Sequence, residues 1–139
     1  MFWRNMAYVI AVVFFVVASI VSFFIWPKEQ QLLVTPEVIA WLKNLQQSET
    51  FTDLPGVDPS VERLRMKTEL DDLLSRLVRG LESNPRKSWV LAELKPTVAR
   101  IYLEDTEARE RFADYLQQIL ESLKIESTNG AFIRYMIFI

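Results

Sequence analysis

Apolar residues form their longest unbroken run near the start of the chain. The segment Ala7 to Trp26 reads AYVIAVVFFVVASIVSFFIW and contains no charged residue and no proline. At a rise of about 1.5 Å per residue, a helix of this length is about 30 Å long and matches the hydrocarbon core of a bilayer. Trp3 and Trp26 bracket the segment, as interfacial aromatic residues do. The pattern predicts a transmembrane helix over residues 7–26, in contact with membrane lipid.

Two other interpretations of this segment explain less. A cleaved signal peptide has a shorter apolar core, and the nearest small-residue cleavage site, at Ala18 and Ser19, lies inside the run. A core helix of a soluble protein is rarely so long and so uniformly apolar. Because basic residues are almost balanced on the two sides, the short amino-terminal tail decides the orientation. We expect an uncleaved signal anchor in a bacterial inner membrane, with the following domain in the periplasm.

One face of the predicted span is made of small residues, which allow a second helix to approach closely. Successive residues are about 100° apart around a helix, so four small side chains fall within about 60° of one another. These residues are Ala7, Ala11, Ala18 and Ser22. The stripe favours a homo-oligomer or a membrane partner, although Phe14 and Phe15 interrupt it and chance also accounts for it.

After residue 34 the pattern changes to amphipathic helical stripes, each beginning at a capping residue followed by proline or an acid. The predicted helices cover residues 36–47, 59–82, 85–95 with a helical continuation over 97–103, and 106–124. Their capping signals are Thr35-Pro36, Asp58-Pro59, Asn84-Pro85, and Asp105 or Thr106. The apolar stripes consist of Val38, Leu42 and Leu45 with Trp41 beside them, then Leu70, Leu73, Leu74, Leu77 and Leu81, then Trp89, Leu91 and Leu94, then Phe112, Leu116, Ile119, Leu120 and Leu123. The apolar residues of the continuation are Val98, Ile101 and Tyr102.

Two connecting segments contain apolar residues that should pack on these helices. Phe51, Leu54 and Val57 are expected to hold the loop over residues 48–58 against the core. The final segment, 131–139, reads AFIRYMIFI and predicts either a short helix or an extended strand. Its apolar character indicates that it is packed or that it binds a partner.

The whole pattern predicts an all-α protein with one N-terminal transmembrane helix followed by a small bundle of four to five helices. A single helix with one apolar stripe is not stable alone in water, so the helices must pack their apolar faces on one another. We divide the chain into a membrane anchor over residues 1–27, a connector over 28–34 and a helical domain over 35–139.

Composition then excludes several classes of function. The chain contains no histidine and no cysteine, which removes thiol catalysis, disulfides and the usual zinc sites. The residues after 26 carry 15 of the 16 basic residues and all 18 acidic ones, a formal charge of −3. Such a mildly acidic surface argues against nucleic acid as a partner. With three glycines in total, the chain has no phosphate-binding or dinucleotide-binding loop, and we expect no cofactor.

The segment EDTEARERFADYLQQILESLKIESTNG resembles the C-terminal signature of a bacterial family of small helical proteins known only as a domain of unknown function. The family pattern is D-T-E-x-R-E, then a helix with Tyr-Leu, then I-E-S-[ST]-[DN]-G. The matching positions here are Asp105, Thr106, Glu107, Arg109, Glu110, Tyr115, Leu116, Ile125, Glu126, Ser127, Asn129 and Gly130. Arg134 to Met136 replace the family's Trp and Tyr-Gly segment, so the end diverges. The resemblance implies a helical fold and no activity.

Clustered acids, which include Glu104, Asp105, Glu107 and Glu126, are the one candidate for acid–base chemistry or cation binding. A helix N-terminus also attracts acids, and it explains Asp105 and Glu107 better. We therefore predict no catalytic or metal-binding residue. The junction after the last helix is the better candidate for binding a partner. Its residues are Glu126, Ser127, Asn129, Gly130, Phe132 and Tyr135.

These observations favour a single-pass membrane-anchored protein-interaction module that is not an enzyme. An inhibitor or immunity-type protein would be one form of it. The alternative is a structural subunit of a membrane complex, with the span as the main contact. An enzyme that uses Asp105, Glu107 or Glu126 is the least favoured reading.

Overall fold

The computed structural model describes residues 2–25, 28–54 and 59–135. In these residues five α-helices and one 3₁₀ turn follow one another: α1 (Phe2–Ile25), α2 (Pro36–Gln47), α3 (Pro59–Gly80), α4 (Lys87–Ile101), α5 (Thr106–Ser122) and the turn Ile133–Tyr135. The described residues contain no β-strand, only an isolated antiparallel bridge between Gln31 and Arg86. The predicted all-α class is therefore confirmed.

Helix α1 is 24 residues long and begins before the predicted span. Its side chains from Met6 to Ser22 are exposed, Phe14 to 77%. Trp26 and Pro27, the predicted end of the span, lie outside the described residues. Within the part of the chain that the structure describes, no helix is both long enough and apolar enough to cross a membrane. The transmembrane helix over residues 7–26 stays a prediction.

Helix α3 lies at the centre of the bundle and packs against α2, α4 and α5. Its leucine stripe is fully buried, as the sequence predicts, and so is the apolar face of α5. In the other two helices Leu42 and Leu94 reach the core, while Trp41 and Trp89 lie half-buried at its border. The predicted helical stripes therefore form the core of one four-helix domain.

Helix α2 begins where the sequence predicts. The hydroxyl of Thr35 accepts a hydrogen bond from the backbone N–H of Val38, at 3.4 Å, and Pro36 occupies the first helical position. At the start of α5, the carboxylate of Asp105 accepts from the N–H of Ala108 at 2.9 Å. Local capping signals therefore determine both starts.

Helix α4 begins at Lys87, two residues later than the predicted start at Pro85. The side chain of Asn84 does not cap α4, because it donates to the carbonyl oxygen of Gly80 at the end of α3, at 3.1 Å. The carbonyl of Pro85 instead accepts a hydrogen bond from the N–H of Leu32, at 2.8 Å. Downstream, α4 continues through Pro96 to Ile101, which confirms the predicted helical continuation.

Helix α5 ends at Ser122, and the residue that reverses the chain is Lys124, with φ +56°. The N–H of Ile125 donates to the carbonyl of Leu120, and that of Lys124 donates to the carbonyl of Glu121, both at 2.9 Å. This pair of bonds is a Schellman motif, in which a glycine usually takes the left-handed position. The predicted end at Lys124 is thus two residues too late.

The connector is hydrogen-bonded to both α4 and α5. The carbonyl of Gln30 accepts from the N–H of Lys87 at 3.0 Å, and the carboxylate of Glu29 accepts from the N–H of Ser88 at 3.0 Å. The side-chain amide of Gln30 donates to the carbonyl of Lys124 at 2.9 Å. Since no side chain of α4 itself caps that helix, Glu29 supplies its N-terminal acceptor. The connector therefore folds together with the helical domain.

We predict that Glu29→Ala loosens the first turn of α4. Hydrogen bonds from the hydroxyl and then from the backbone N–H of Ser88 hold the pKa of Glu29 below its ordinary value. The stabilisation is therefore present above the unfolded-state pKa and is lost as the pH falls through the lower folded-state pKa. Hydrogen exchange at pH 7 should show faster exchange of the Ser88 amide in this variant. The exposed Glu82, replaced by alanine, is the control and should leave that amide unchanged; equal effects of both changes would contradict the prediction.

Candidate functional site

The predicted partner-binding residues occupy the segment that follows α5. Ser127 accepts a hydrogen bond through its hydroxyl from the N–H of Asn129, at 3.0 Å. Asn129 and Gly130 have φ of +54° and +72°, and the N–H of Ala131 donates to the carbonyl of Thr128 at 3.2 Å. Two successive positive φ values are what a type I′ turn requires, and Asn-Gly is its preferred sequence. Gly130 has a positive φ, which glycine adopts without strain, and the motif has a structural explanation as a turn.

The six residues of this prediction do not form one surface. Glu126, Ser127, Asn129 and Gly130 are exposed, whereas the ring of Phe132 is only 1% exposed. Phe132 packs in the core, and its apolar surface holds the C-terminal segment on the bundle. The role of Phe132 in partner binding stays a prediction. Tyr135 is half-buried and belongs to a different cluster.

A cluster of tyrosine and arginine side chains lies where the end of α4 meets the 3₁₀ turn. The rings of Tyr102 and Tyr135 meet edge to face, with centroids 5.7 Å apart and an interplanar angle of 67°. The guanidinium of Arg109 lies 5.7 Å from the Tyr102 ring centroid, and that of Arg134 lies 4.6 Å from the Tyr135 ring centroid. The Arg134 guanidinium also donates to the hydroxyl of Tyr135. Leu103, next in the chain, is 84% exposed.

We call Tyr102, Leu103, Arg109, Arg134 and Tyr135 the Tyr–Arg patch. Only Tyr135 is among the partner-binding residues predicted from the sequence. Tyr102 belongs to the apolar positions of the predicted continuation, and it is 39% exposed because α4 ends one residue before it. An apolar pair, Tyr102-Leu103, placed directly after a helix and before an acidic turn is the sequence signal that could have found this surface.

The predicted acidic cluster separates into different roles. Asp105 caps α5, and Glu104 pairs with Arg65 of α3. Asp105 also interacts with Glu62 of α3, which the sequence analysis did not single out. Among the described residues, no three acids are grouped so that they could hold a metal ion. Helix capping therefore explains Asp105, and an ion pair explains Glu104.

The carboxyl groups of Glu62 and Asp105 are expected to lose their protons at different pH values. The hydrogen bond with Asp105, followed by partial desolvation, raises the pKa of Glu62 above its ordinary value. The backbone N–H of Ala108, followed by the Glu62 side chain, lowers the pKa of Asp105. The stabilising effect of Asp105 is lost as the pH falls through its lowered pKa, and that of Glu62 is lost as the pH rises through its raised pKa. A carboxyl NMR titration should therefore show Asp105 losing its proton first.

Asp105→Asn provides the matched control for this titration, since asparagine is also a good N-cap residue. In that variant the charge opposite Glu62 is gone, and the pKa of Glu62 should return toward its ordinary value. An unchanged Glu62 titration would show that Asp105 does not cause the shift.

A cavity lies between the connector and the end of α5. It is a cavity of about 300 Å³ whose walls include Gln30, Leu33, Thr35 and Lys124. Leu33 is 76% exposed there. The cavity and the Tyr–Arg patch lie at opposite ends of α4 and α5, because the connector bonds to the start of α4 and the patch follows its end.

The sequence model of one protein family, described as a domain of unknown function, matches residues 33–137. The chain belongs to the DUF4844 family. No curated protein and no solved structure matches the chain. The DUF4844 match includes α2 to α5, the turn after α5 and the whole Tyr–Arg patch. It begins after Glu29, Gln30 and Gln31, so part of the connector that bonds to α4 precedes the DUF4844 region.

Proposed function

We propose that this DUF4844 protein is a single-pass membrane-anchored module that binds a protein partner through the Tyr–Arg patch. The observation that carries the proposal is the grouping of two tyrosines and two arginines on the surface next to an exposed leucine. Tyrosine and arginine are the residue types that most often dominate binding energy at protein interfaces. An inhibitor or immunity-type protein in a bacterial inner membrane, with its domain in the periplasm, is the form of this function that we favour.

The contacts within the patch support a binding role. Each guanidinium lies over a tyrosine ring, so the rings and the charges are already ordered before a partner arrives. Ordering a flexible side chain at an interface costs about 0.5–1.5 kcal/mol, and a preordered group avoids much of that cost. The complementary partner surface would offer carboxylates to Arg109 and Arg134 and apolar groups to Leu103.

The anchor is proposed on the exposed apolar surface of α1. Its apolar side chains are exposed along the described part of its length. A helix that is apolar on all sides is normally enclosed by protein or by lipid. The proposed span, from Ala7 to Trp26, continues into residues outside the described part of the chain.

Site-specific photo-crosslinking in cells tests the binding site. A photo-reactive amino acid at Leu103 should give an adduct with one protein, which mass spectrometry identifies. The same group at Gln118, an exposed residue on α5 outside the patch, is the matched control and should not give that adduct. A second change, Arg134→Glu, should remove the Leu103 adduct. Equal adducts at both positions, or an adduct that survives Arg134→Glu, would contradict the proposed site.

Flotation of membranes after alkaline washing tests the anchor. The full chain should float with lipid, and a Val13→Arg, Val16→Arg variant should not, because each arginine near the middle of a span costs about 2.5–3.5 kcal/mol on insertion. A Val13→Leu, Val16→Leu variant is the control and should float like the parent. Flotation of the arginine variant would contradict a spanning helix.

A structural subunit of a membrane complex is the second candidate function. A hollow on the surface of α1 is lined by Ala7, Ala11 and Ala18 together with Phe14 and Phe15, and a partner helix could insert a side chain there. Ala11→Leu with Ala18→Leu would fill the hollow and should abolish crosslinked oligomers. Oligomers that persist in this variant would exclude this face as the contact.

A further inference from the structure

We infer that the connector end of the domain rests in the lipid headgroup layer, so that the Tyr–Arg patch faces away from the bilayer. By connector end we mean the connector 28–34, the starts of α2 and α4, and the end of α5. The inference builds on the proposed anchor and specifies which surface of the domain meets lipid.

The first argument is the reach of the chain. Glu29 is hydrogen-bonded to the start of α4, and α1 ends at Ile25. Four residue steps therefore join the end of α1 to a fixed point on the domain. At about 3.3–3.6 Å per residue, they span at most about 14 Å. The headgroup layer of each leaflet is about 5–8 Å thick, so the start of α4 must lie in this layer or just above it.

The second argument is that hydrogen bonds fix the connector to the domain at two separate places. Hydrogen bonds from Lys87 to Gln30 and from Gln30 to Lys124 tie it to the start of α4 and to the chain just after the end of α5. Leu32, within the connector, is buried against the core. The chain from α1 therefore joins the domain at a fixed point on this surface, so the same surface lies next to the end of α1.

The third argument is the exposure of Leu33. This side chain is 76% exposed at the connector end, one residue after the buried Leu32. Insertion of an apolar side chain into the headgroup boundary removes its surface from water, which is favourable. Lipid would thus cover an apolar group that the domain leaves in water.

Charge at this end does not select for anionic lipid. Four cations and four carboxylates lie at or next to this end: Lys28, Arg86, Lys87, Lys124, Glu29, Glu37, Glu121 and Glu126. Because their charges balance, neither added salt nor anionic lipid should change the contact. A zwitterionic phosphatidylcholine bilayer is therefore a sufficient partner.

Lipid-borne quenchers test this arrangement. The chain has no cysteine, so Leu33→Cys gives a single site for a fluorescent label, and Leu103→Cys gives a matched exposed site at the other end of α4. Lys28→Cys is a second site at the connector end. The full-length protein is reconstituted in phosphatidylcholine vesicles, with and without phosphatidylcholine that carries a nitroxide near its headgroup. We expect strong quenching at positions 28 and 33 and little at 103, since the 15-residue α4 is about 22 Å long.

Flotation of the same labelled samples separates the two proposals. Protein that floats with the vesicles but is quenched equally at 33 and 103, or only at 103, would overturn the inferred orientation and leave the anchor intact. Protein that does not float would overturn both. Quenching at position 33 that requires anionic lipid would contradict a contact that is independent of lipid charge.

Discussion

Phe51→Ala is expected to lower the free energy of unfolding by about 3–5 kcal/mol, the usual cost of removing a buried phenylalanine ring. Phe51 is 1% exposed although it lies in a loop. Its ring stacks on Phe112 at 5.7 Å and meets Tyr115 edge to face at 4.8 Å. It joins the loop after α2 to α5. Urea unfolding of the full chain in detergent micelles, followed by tryptophan fluorescence, measures the change.

Glycine at the same position tests whether the backbone of residue 51 is left-handed. Phe51 has φ +56°, a left-handed conformation that costs a non-glycine residue about 1–2 kcal/mol. Phe51→Gly should therefore be less destabilising than Phe51→Ala by about 1 kcal/mol, the reverse of the usual order of the two residues. If Phe51→Ala proves less destabilising than Phe51→Gly, residue 51 does not adopt the left-handed conformation.

Tyr115→Phe separates the ring from its hydroxyl. That hydroxyl accepts a hydrogen bond from the N–H of Phe51 at 3.2 Å. Its loss should cost about 1 kcal/mol, because the N–H of a buried residue loses its acceptor while the ring contact stays. A cost as large as that of Phe51→Ala would mean that the hydrogen bond, and not the ring, holds the loop.

Gly80→Ala is expected to lower the free energy of unfolding by about 1–3 kcal/mol, the cost of overpacking. Alanine normally stabilises a helix by about 1 kcal/mol relative to glycine, so the sign is unusual. It is reversed here because a Cβ atom at position 80 would lie 2.3 Å from Cζ2 and 2.5 Å from Cη2 of Trp89. The indole of Trp89 occupies the space that a side chain would need. The same urea titration measures the effect.

A double-mutant cycle with Trp89→Leu identifies the clash as the cause. In the Trp89→Leu background the ring is absent, and Gly80→Ala should become neutral or stabilising by up to about 1 kcal/mol. The same destabilisation in both backgrounds would show that the indole contact is not responsible.

The helices and their buried faces could be predicted because both depend on local sequence. The Thr35 cap begins α2 and the Asp105 cap begins α5, and the leucine spacing of α3 identifies the central core. The sequence-based predictions were wrong where a residue bonds to a partner that is distant in the sequence. Asn84-Pro85 has the local form of a helix start, but Pro85 pairs with Leu32 and the helix begins later.

The candidate site was less predictable for a related reason. The Asn129-Gly130 pair has the local sequence of a turn and forms one, but a turn motif does not reveal which side chains gather around it. Tyr102 and Tyr135 are 33 positions apart in the sequence and meet only when the C-terminal segment folds back along the bundle. Apolarity alone could not separate Phe132, which enters the core, from Tyr135, which remains partly exposed.

The pairing of the connector with α4 and α5 also determines where the domain can be cut from its first helix. A fragment beginning at residue 33 keeps the whole family match but loses Glu29 and Gln30. The N–H groups of Lys87 and Ser88 then lack their acceptors. A fragment beginning at Lys28 retains these bonds. A protease that sheds an intact domain from α1 must therefore cleave before Glu29, within a few residues of the end of the helix.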